Sequence, residues 1–150
     1  MMSAVYQTLK LFHAFGHVVC QIGIHIVIIF NGVRRPCFSL YNTGLQSLKI
    51  KETDRMTALI AELGKLGYVL REENGTTLVW NGERQEAQPF PVIKTYEDHR
   101  MAMAFAPVAI RYPNVKIADP QVVSKSYPKY WEDLGKAGVL VSVELPIILI

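Results

Sequence analysis

The repeat of apolar residues between positions 43 and 140 is what most limits the fold of this chain. Met56, Leu59, Ile60, Leu63 and Leu66 recur at intervals of three and four, which predicts a helix over Asp54–Leu66 with Thr53 as N-cap and Gly67 as stop. Leu45–Ile50 before it is predicted to be a short strand. After it, Tyr68–Arg71 and Thr76–Trp80 are predicted to pair as a hairpin around Asn74-Gly75, because both turn residues tolerate positive φ. Gly82–Pro91 is a polar loop carrying two prolines. Val92–Thr95 and Val115–Ala118 are predicted strands flanking a second helix over Glu97–Ile110, which Pro107 should bend. Pro128–Lys136 is predicted to be a third helix, with Pro128 in its first turn and Gly138 past its end. Strands and helices in this alternation indicate an α/β (α+β) class.

The flanks are of a different character. Residues 1–42 are apolar, dotted with histidine and weakly patterned, and residues 141–150 form an apolar tail. The division expected is therefore 1–42, 43–140 and 141–150, with 43–140 as the well-patterned part. Val18–Phe30 is shorter than the roughly 20 residues a membrane helix needs. Gln21 and His25 interrupt it, so a buried element is expected and no membrane association; a small membrane-associated protein using residues 9–30 is the competing reading. No A-x-A-like site follows the run, as a signal peptide would require.

The chain has 150 residues, half of them hydrophobic, enough for one domain with a real core. Sixteen basic residues against thirteen acidic ones give a charge of +3. That suits small anions and gives no basic stripe of the kind nucleic acid needs. The two cysteines, Cys20 and Cys37, are not in a CxxC pair. They indicate neither a disulfide framework nor a zinc site, and a cytoplasmic location follows. His13 and His17 are four apart, but no third ligand completes a metal set.

The chemistry is concentrated where helices begin. Helix N-termini favour acids, since the dipole is positive there. In this chain bases sit at such places: Lys51 and Arg55 around the first, His99 and Arg100 in the first turn of the second, Lys125 just before the third. An anion bound at such a junction would reverse the local penalty, because free N–H groups and an arginine fork then face the same charge. Ligands of α/β folds gather at strand-to-helix junctions. Pairing of these bases with their acidic neighbours on the surface is the other reading. Glu52, beside Lys51 and one turn from Arg55, could carry a proton to or from such an anion, or could simply be a solvated partner of Arg55.

Three blocks carry a resemblance: Lys51-Glu52-Thr53-Asp54-Arg55, Glu97-Asp98-His99-Arg100-Met101-Ala102-Met103, and Asp119-Pro120 through Ser124-Lys125-Ser126-Tyr127-Pro128-Lys129-Tyr130. Together, in this order and spacing, they resemble the C-terminal signature blocks of the 5-enolpyruvylshikimate-3-phosphate synthase family, over residues 43–140. The resemblance implies transfer of the enolpyruvyl group of phosphoenolpyruvate to the 5-hydroxyl of shikimate 3-phosphate, in the shikimate pathway to chorismate and the aromatic amino acids, with no metal or organic cofactor. It implies that Glu52 moves the proton and that Arg55, Arg100 and Lys125 grip phosphoenolpyruvate. Lys51 would reach shikimate 3-phosphate, Asp98 and His99 would line the pocket, and glyphosate would be an inhibitor. The implied fold is built of βαβαββ units, here an incomplete domain.

The chain departs from that family pattern in two ways. The lysine–serine and arginine substrate motif of the family's N-terminal domain is missing. No aspartate precedes Asp54, although the family places one before Thr43-Gly44-Leu45 to receive the substrate hydroxyl. These departures imply a fragment, inactive alone and in need of a separate N-terminal domain. The alternatives are a non-catalytic remnant of the fold and a relative acting on a UDP-sugar; the Glu97–Arg100 block argues against the latter.

Overall fold

The computed structural model describes residues 40–42, 54–139, 142–144 and 147–149. They belong to two compact units, one holding the described residues up to Pro91 and the other those from Val92 onward. Mixed helices and small sheets place the described parts in the α/β class. The expectations for Leu45–Ile50 and for residues 1–39 with His13, His17 and the two cysteines lie outside the described residues.

In the first unit, helix α1 spans Arg55–Lys65 and strands β1 (Leu40–Asn42), β2 (Arg71–Glu73) and β3 (Thr77–Trp80) form an antiparallel sheet in the order β1-β3-β2. Met56, Leu59, Leu63 and Leu66 of the predicted stripe are buried, and Ile60 is half-buried. Glu62 is buried on the same helix and pairs with Lys65. The hairpin turns at Asn74 and Gly75, with φ of 54° and 67°, and Arg71 stands opposite Val79. Its first strand starts later than expected. Tyr68 makes an isolated bridge to Arg84, and the Arg84 guanidinium lies 3.8 Å from the Tyr68 ring centre.

The polar loop after β3 closes the end of α1. Last-turn carbonyls have no partner within a helix. Here Gln85 Nε2 donates to Gly64 O at 2.8 Å, Gln88 N to Lys65 O at 2.8 Å, and Arg84 Nη2 to Leu66 O at 3.3 Å. Gly67 permits the close approach: its φ is 85°, and a Cβ there would sit 2.6 Å from Gln85 O.

The second unit contains β4 (Val92–Ile93), α2 (His99–Phe105), the 3₁₀ turn Ala106–Ile110, β5 (Lys116–Ala118), the 3₁₀ helix Pro120–Lys125, α3 (Tyr130–Lys136), β6 (Ser142–Glu144) and β7 (Ile147–Leu149). Its sheet runs β4-β5-β7-β6. β4 and β5 are parallel with α2 in the crossover between them, as parallel strands require a long connection. β7 runs antiparallel to both β5 and β6, so the segment read as an apolar tail contributes two strands.

Three predicted helix boundaries are corrected. α2 begins at His99, two residues late, because Tyr96 and Glu97 have φ of 54° and 58°, outside any right-handed helix. Its α-helical part ends at Phe105 and the chain tightens into the 3₁₀ turn that holds Pro107. α3 begins at Tyr130, so Pro128 precedes the helix rather than opening it.

Met101 to Phe105 are all buried, and the alanines among them let α2 pack closely on its surroundings, including the 3₁₀ helix Pro120–Lys125. Pro107 has no N–H to give to Met103 O four residues back. The buried Tyr130 hydroxyl donates to that carbonyl instead, at 2.9 Å. Burial pushes the Tyr130 phenol far above its ordinary pKa, so it remains a donor. Tyr130→Phe keeps the ring but strands the carbonyl, which should cost about 1–3 kcal/mol. Urea denaturation of wild type and variant checks this; equal midpoints would contradict the replacement of the missing N–H by tyrosine.

Candidate functional site

Both helix starts that carry bases are capped by an aspartate. Asp54 Oδ1 accepts from Met56 N at 3.1 Å and from Thr57 N at 3.2 Å, while Oδ2 accepts from Thr57 Oγ1 at 2.9 Å. Asp54 is therefore the cap of α1, and the expected role of Thr53 as N-cap is corrected. Asp98 Oδ1 accepts from Arg100 N at 2.9 Å, and Asp98 is fully buried. Neither first turn contains an acidic residue. The caps supply the negative charge that each helix start favours, and the cations follow directly: Arg55 at the first position of α1, His99 and Arg100 at the first two of α2.

The predicted site residues are placed as follows. Lys51 and Glu52 lie outside the described residues. Arg55 is only 2% exposed, so a solvated surface ion pair is not its setting. It belongs to the first unit. Asp98, His99 and Arg100 form one turn of the second unit. His99 Nδ1 is 4.0 Å from Asp98 Oδ1 with its ring half-buried. Arg100 is half-buried, and its Nε has no hydrogen-bond partner. The strand-to-helix turn that delivers them is closed by Asp98 N donating to Thr95 O at 2.9 Å.

Lys125 is where the helix-start argument fails. It is the exposed last residue of the 3₁₀ helix Pro120–Lys125, the end at which a cation is favourable, and Ser126 to Lys129 separate it from α3. The same 3₁₀ helix packs on α2, so Lys125 and Arg100 lie on neighbouring elements.

Sequence reasoning missed Thr95, whose buried Oγ1 is also without a partner. It also read Asp98 as pocket lining and Asp54 as helical, although aspartate ranks among the preferred caps and a cap reading was open in both cases.

The block after Lys125 is tied down by Tyr127, whose hydroxyl donates to Asp133 Oδ2 at 2.6 Å. The same bond raises the Tyr127 pKa, and it holds the Asp133 carboxyl below its ordinary value together with Lys136.

These features define a mixed α/β chain with basic residues directly behind aspartate caps at two helix starts. The chain belongs to the EPSP synthase (3-phosphoshikimate 1-carboxyvinyltransferase) family, whose model matches residues 39–134. A 3-phosphoshikimate 1-carboxyvinyltransferase of Bacteroides fragilis is 67% identical over 101 residues, which is 67% of this chain and 25% of the relative. Enzymes of the same name from Laribacter hongkongensis and Syntrophobacter fumaroxidans are 40% and 42% identical over 90 and 89 residues, covering 60% and 59% of this chain and 20% and 21% of theirs. The chain thus spans about a quarter of the length, or less, of these curated relatives.

The Tyr127–Asp133 bond sets a pH window. A depressed carboxyl contributes stability that is present above its unfolded pKa near 3.8 and lost as pH falls through the lower folded value. A raised phenol contributes below 10.0 and loses its contribution as pH climbs through the higher folded value. A ¹³C titration should give an Asp133 midpoint below 3.8 that moves up in Tyr127→Phe. An unchanged midpoint in the variant would contradict the bond as the main cause.

Proposed function

We propose that this chain carries the phosphoenolpyruvate side of an enolpyruvyl transferase site. In that reaction the 5-hydroxyl of shikimate 3-phosphate adds to C2 of phosphoenolpyruvate while C3 takes a proton. The tetrahedral adduct then expels phosphate and returns the proton from C3, leaving the enol ether. The observation that carries the reading is the turn ending in Asp98, His99 and Arg100. It places two bases in a helix's first turn directly after a buried aspartate cap, within the stretch that matches the family.

In this reading Arg100 and Lys125, from neighbouring elements of the second unit, take the carboxylate and phosphate of phosphoenolpyruvate, and the family resemblance gives Arg55 the role of a phosphoenolpyruvate-binding cation. Glu52 moves the proton, Lys51 reaches shikimate 3-phosphate, and Asp98 and His99 line the site. Fixed cations stabilise the charge that develops on the departing phosphate, and a carboxylate exchanges the proton at C3. No cofactor takes part. Strands β4 and β5 with α2 would be part of a βαβαββ unit. Glyphosate would compete for the same cations, and the cytoplasm, where phosphoenolpyruvate is made, would be the setting. The UDP-sugar alternative is disfavoured by the names of the relatives, all of them 3-phosphoshikimate 1-carboxyvinyltransferases.

Holding both anions in reacting geometry contributes about 7–11 kcal/mol to such a rate. A stretch matching a quarter of the relatives' length has groups for one anion and few for the other. The 150-residue chain should therefore release no phosphate from the two substrates alone. It should do so when a relative's N-terminal domain is supplied, and Glu52→Ala should abolish that release. Glu52-dependent release by the chain alone would refute the claim of inactivity. No release with the domain present would favour the non-catalytic remnant.

A further inference from the structure

Two buried side-chain atoms among the described residues have no hydrogen-bond partner, Thr95 Oγ1 and Arg100 Nε. Folded proteins pair nearly all such atoms, so each unpaired one needs a reason. These two are chemical complements. The Nε–H of arginine can only donate, and a threonine hydroxyl can accept. They stand at the two ends of one short segment, residues 95–100. Between them Tyr96 and Glu97 adopt left-handed φ of 54° and 58°, which side chains other than glycine rarely do. Thr95 is fully buried, and its carbonyl already closes the turn by accepting from Asp98 N. Backbone strain and unpaired polar atoms that coincide in one turn mark a segment held in a shape that serves something other than its own stability.

We propose that Thr95 is the positioning residue of Arg100: when an anion occupies the terminal nitrogens of the guanidinium, Thr95 Oγ1 accepts the Nε–H bond. The inference rests on the reading of Arg100 as an anion-binding residue and adds how its plane is set. A guanidinium can meet a carboxylate side-on through Nε and one Nη, or end-on through both Nη groups. Tying Nε to Thr95 removes the side-on option and commits both Nη groups to the ligand. It also fixes the orientation of the guanidinium plane. In the structure neither atom has a partner, and the proposed bond forms when the anion binds.

The test is a ¹H–¹⁵N spectrum of arginine Nε–H groups in the 150-residue chain, titrated with phosphoenolpyruvate. At saturation the Arg100 Nε–H should exchange with solvent at least tenfold more slowly. Thr95→Val, nearly the same shape without the hydroxyl, should lose that protection and weaken phosphoenolpyruvate binding about tenfold. Its unfolding midpoint should not fall, because valine replaces a hydroxyl that is unpaired in the free chain. Thr95→Ser should keep both the protection and the affinity. If Arg100→Ala abolishes binding while Thr95→Val changes neither protection nor affinity, the positioning role is wrong and the anion site stands. If Thr95→Val lowers the unfolding midpoint, the hydroxyl is paired in the free chain and the inference also falls. If wild type binds no phosphoenolpyruvate, the anion site and this inference fall together.

Discussion

The buried carboxylate of Asp98 takes the N–H of Arg100, and much of the second unit follows from that bond. It sets where α2 can start, so it decides that His99 and Arg100 occupy the first turn rather than a loop. A buried acid is expensive unless hydrogen-bonded, and an N-cap is the setting in which a helix repays it. Because α2 starts there, Met101–Phe105 fall in the interior, the 3₁₀ turn comes at Pro107, and Tyr130 is needed to satisfy Met103 O. Arg100 is thus anchored through its backbone by the Asp98 cap, on a helix that packs against the neighbouring 3₁₀ helix.

The first unit shows the same economy with different parts. Asp54 caps α1 at one end, and the loop after β3 closes the other through Gln85, Gln88 and Arg84. Gly67 makes that closure possible, since any side chain there would meet the Gln85 carbonyl. A polar, proline-containing loop with little secondary structure is in this way part of the support for the helix that starts with Arg55.

Much of this architecture was legible in the sequence, for local reasons. The stripe through Met56, Leu59, Leu63 and Leu66 repeats at the helical period, and Asn74-Gly75 carries its turn type in its residues. The signature blocks were legible as blocks and lead to the family. The start of α2 was not legible, because Tyr96 and Glu97 have no propensity for the left-handed φ they adopt, so nothing in their residue types announces it. The place of Lys125 was not legible either, since a six-residue 3₁₀ helix has no period to read. The pairing of β7 onto β5 joins residues about 30 apart, and an apolar run at 141–150 does not announce its partner. Thr95 escaped notice because a threonine at the end of a strand is ordinary; only its burial without a partner sets it apart.

The central claim is that the Asp98-capped turn holds Arg100 for a small anion. The most direct measurement is calorimetric titration of phosphoenolpyruvate into wild type and Arg100→Gln, which keeps a polar side chain but removes the charge. Arg100 N still donates to Asp98 in the variant, so the fold and its unfolding midpoint should be unchanged. The account predicts saturable binding to wild type and a loss of at least tenfold in affinity in Arg100→Gln, the scale of one charge-assisted contact. Equal affinity of the two proteins, at equal stability, would contradict it.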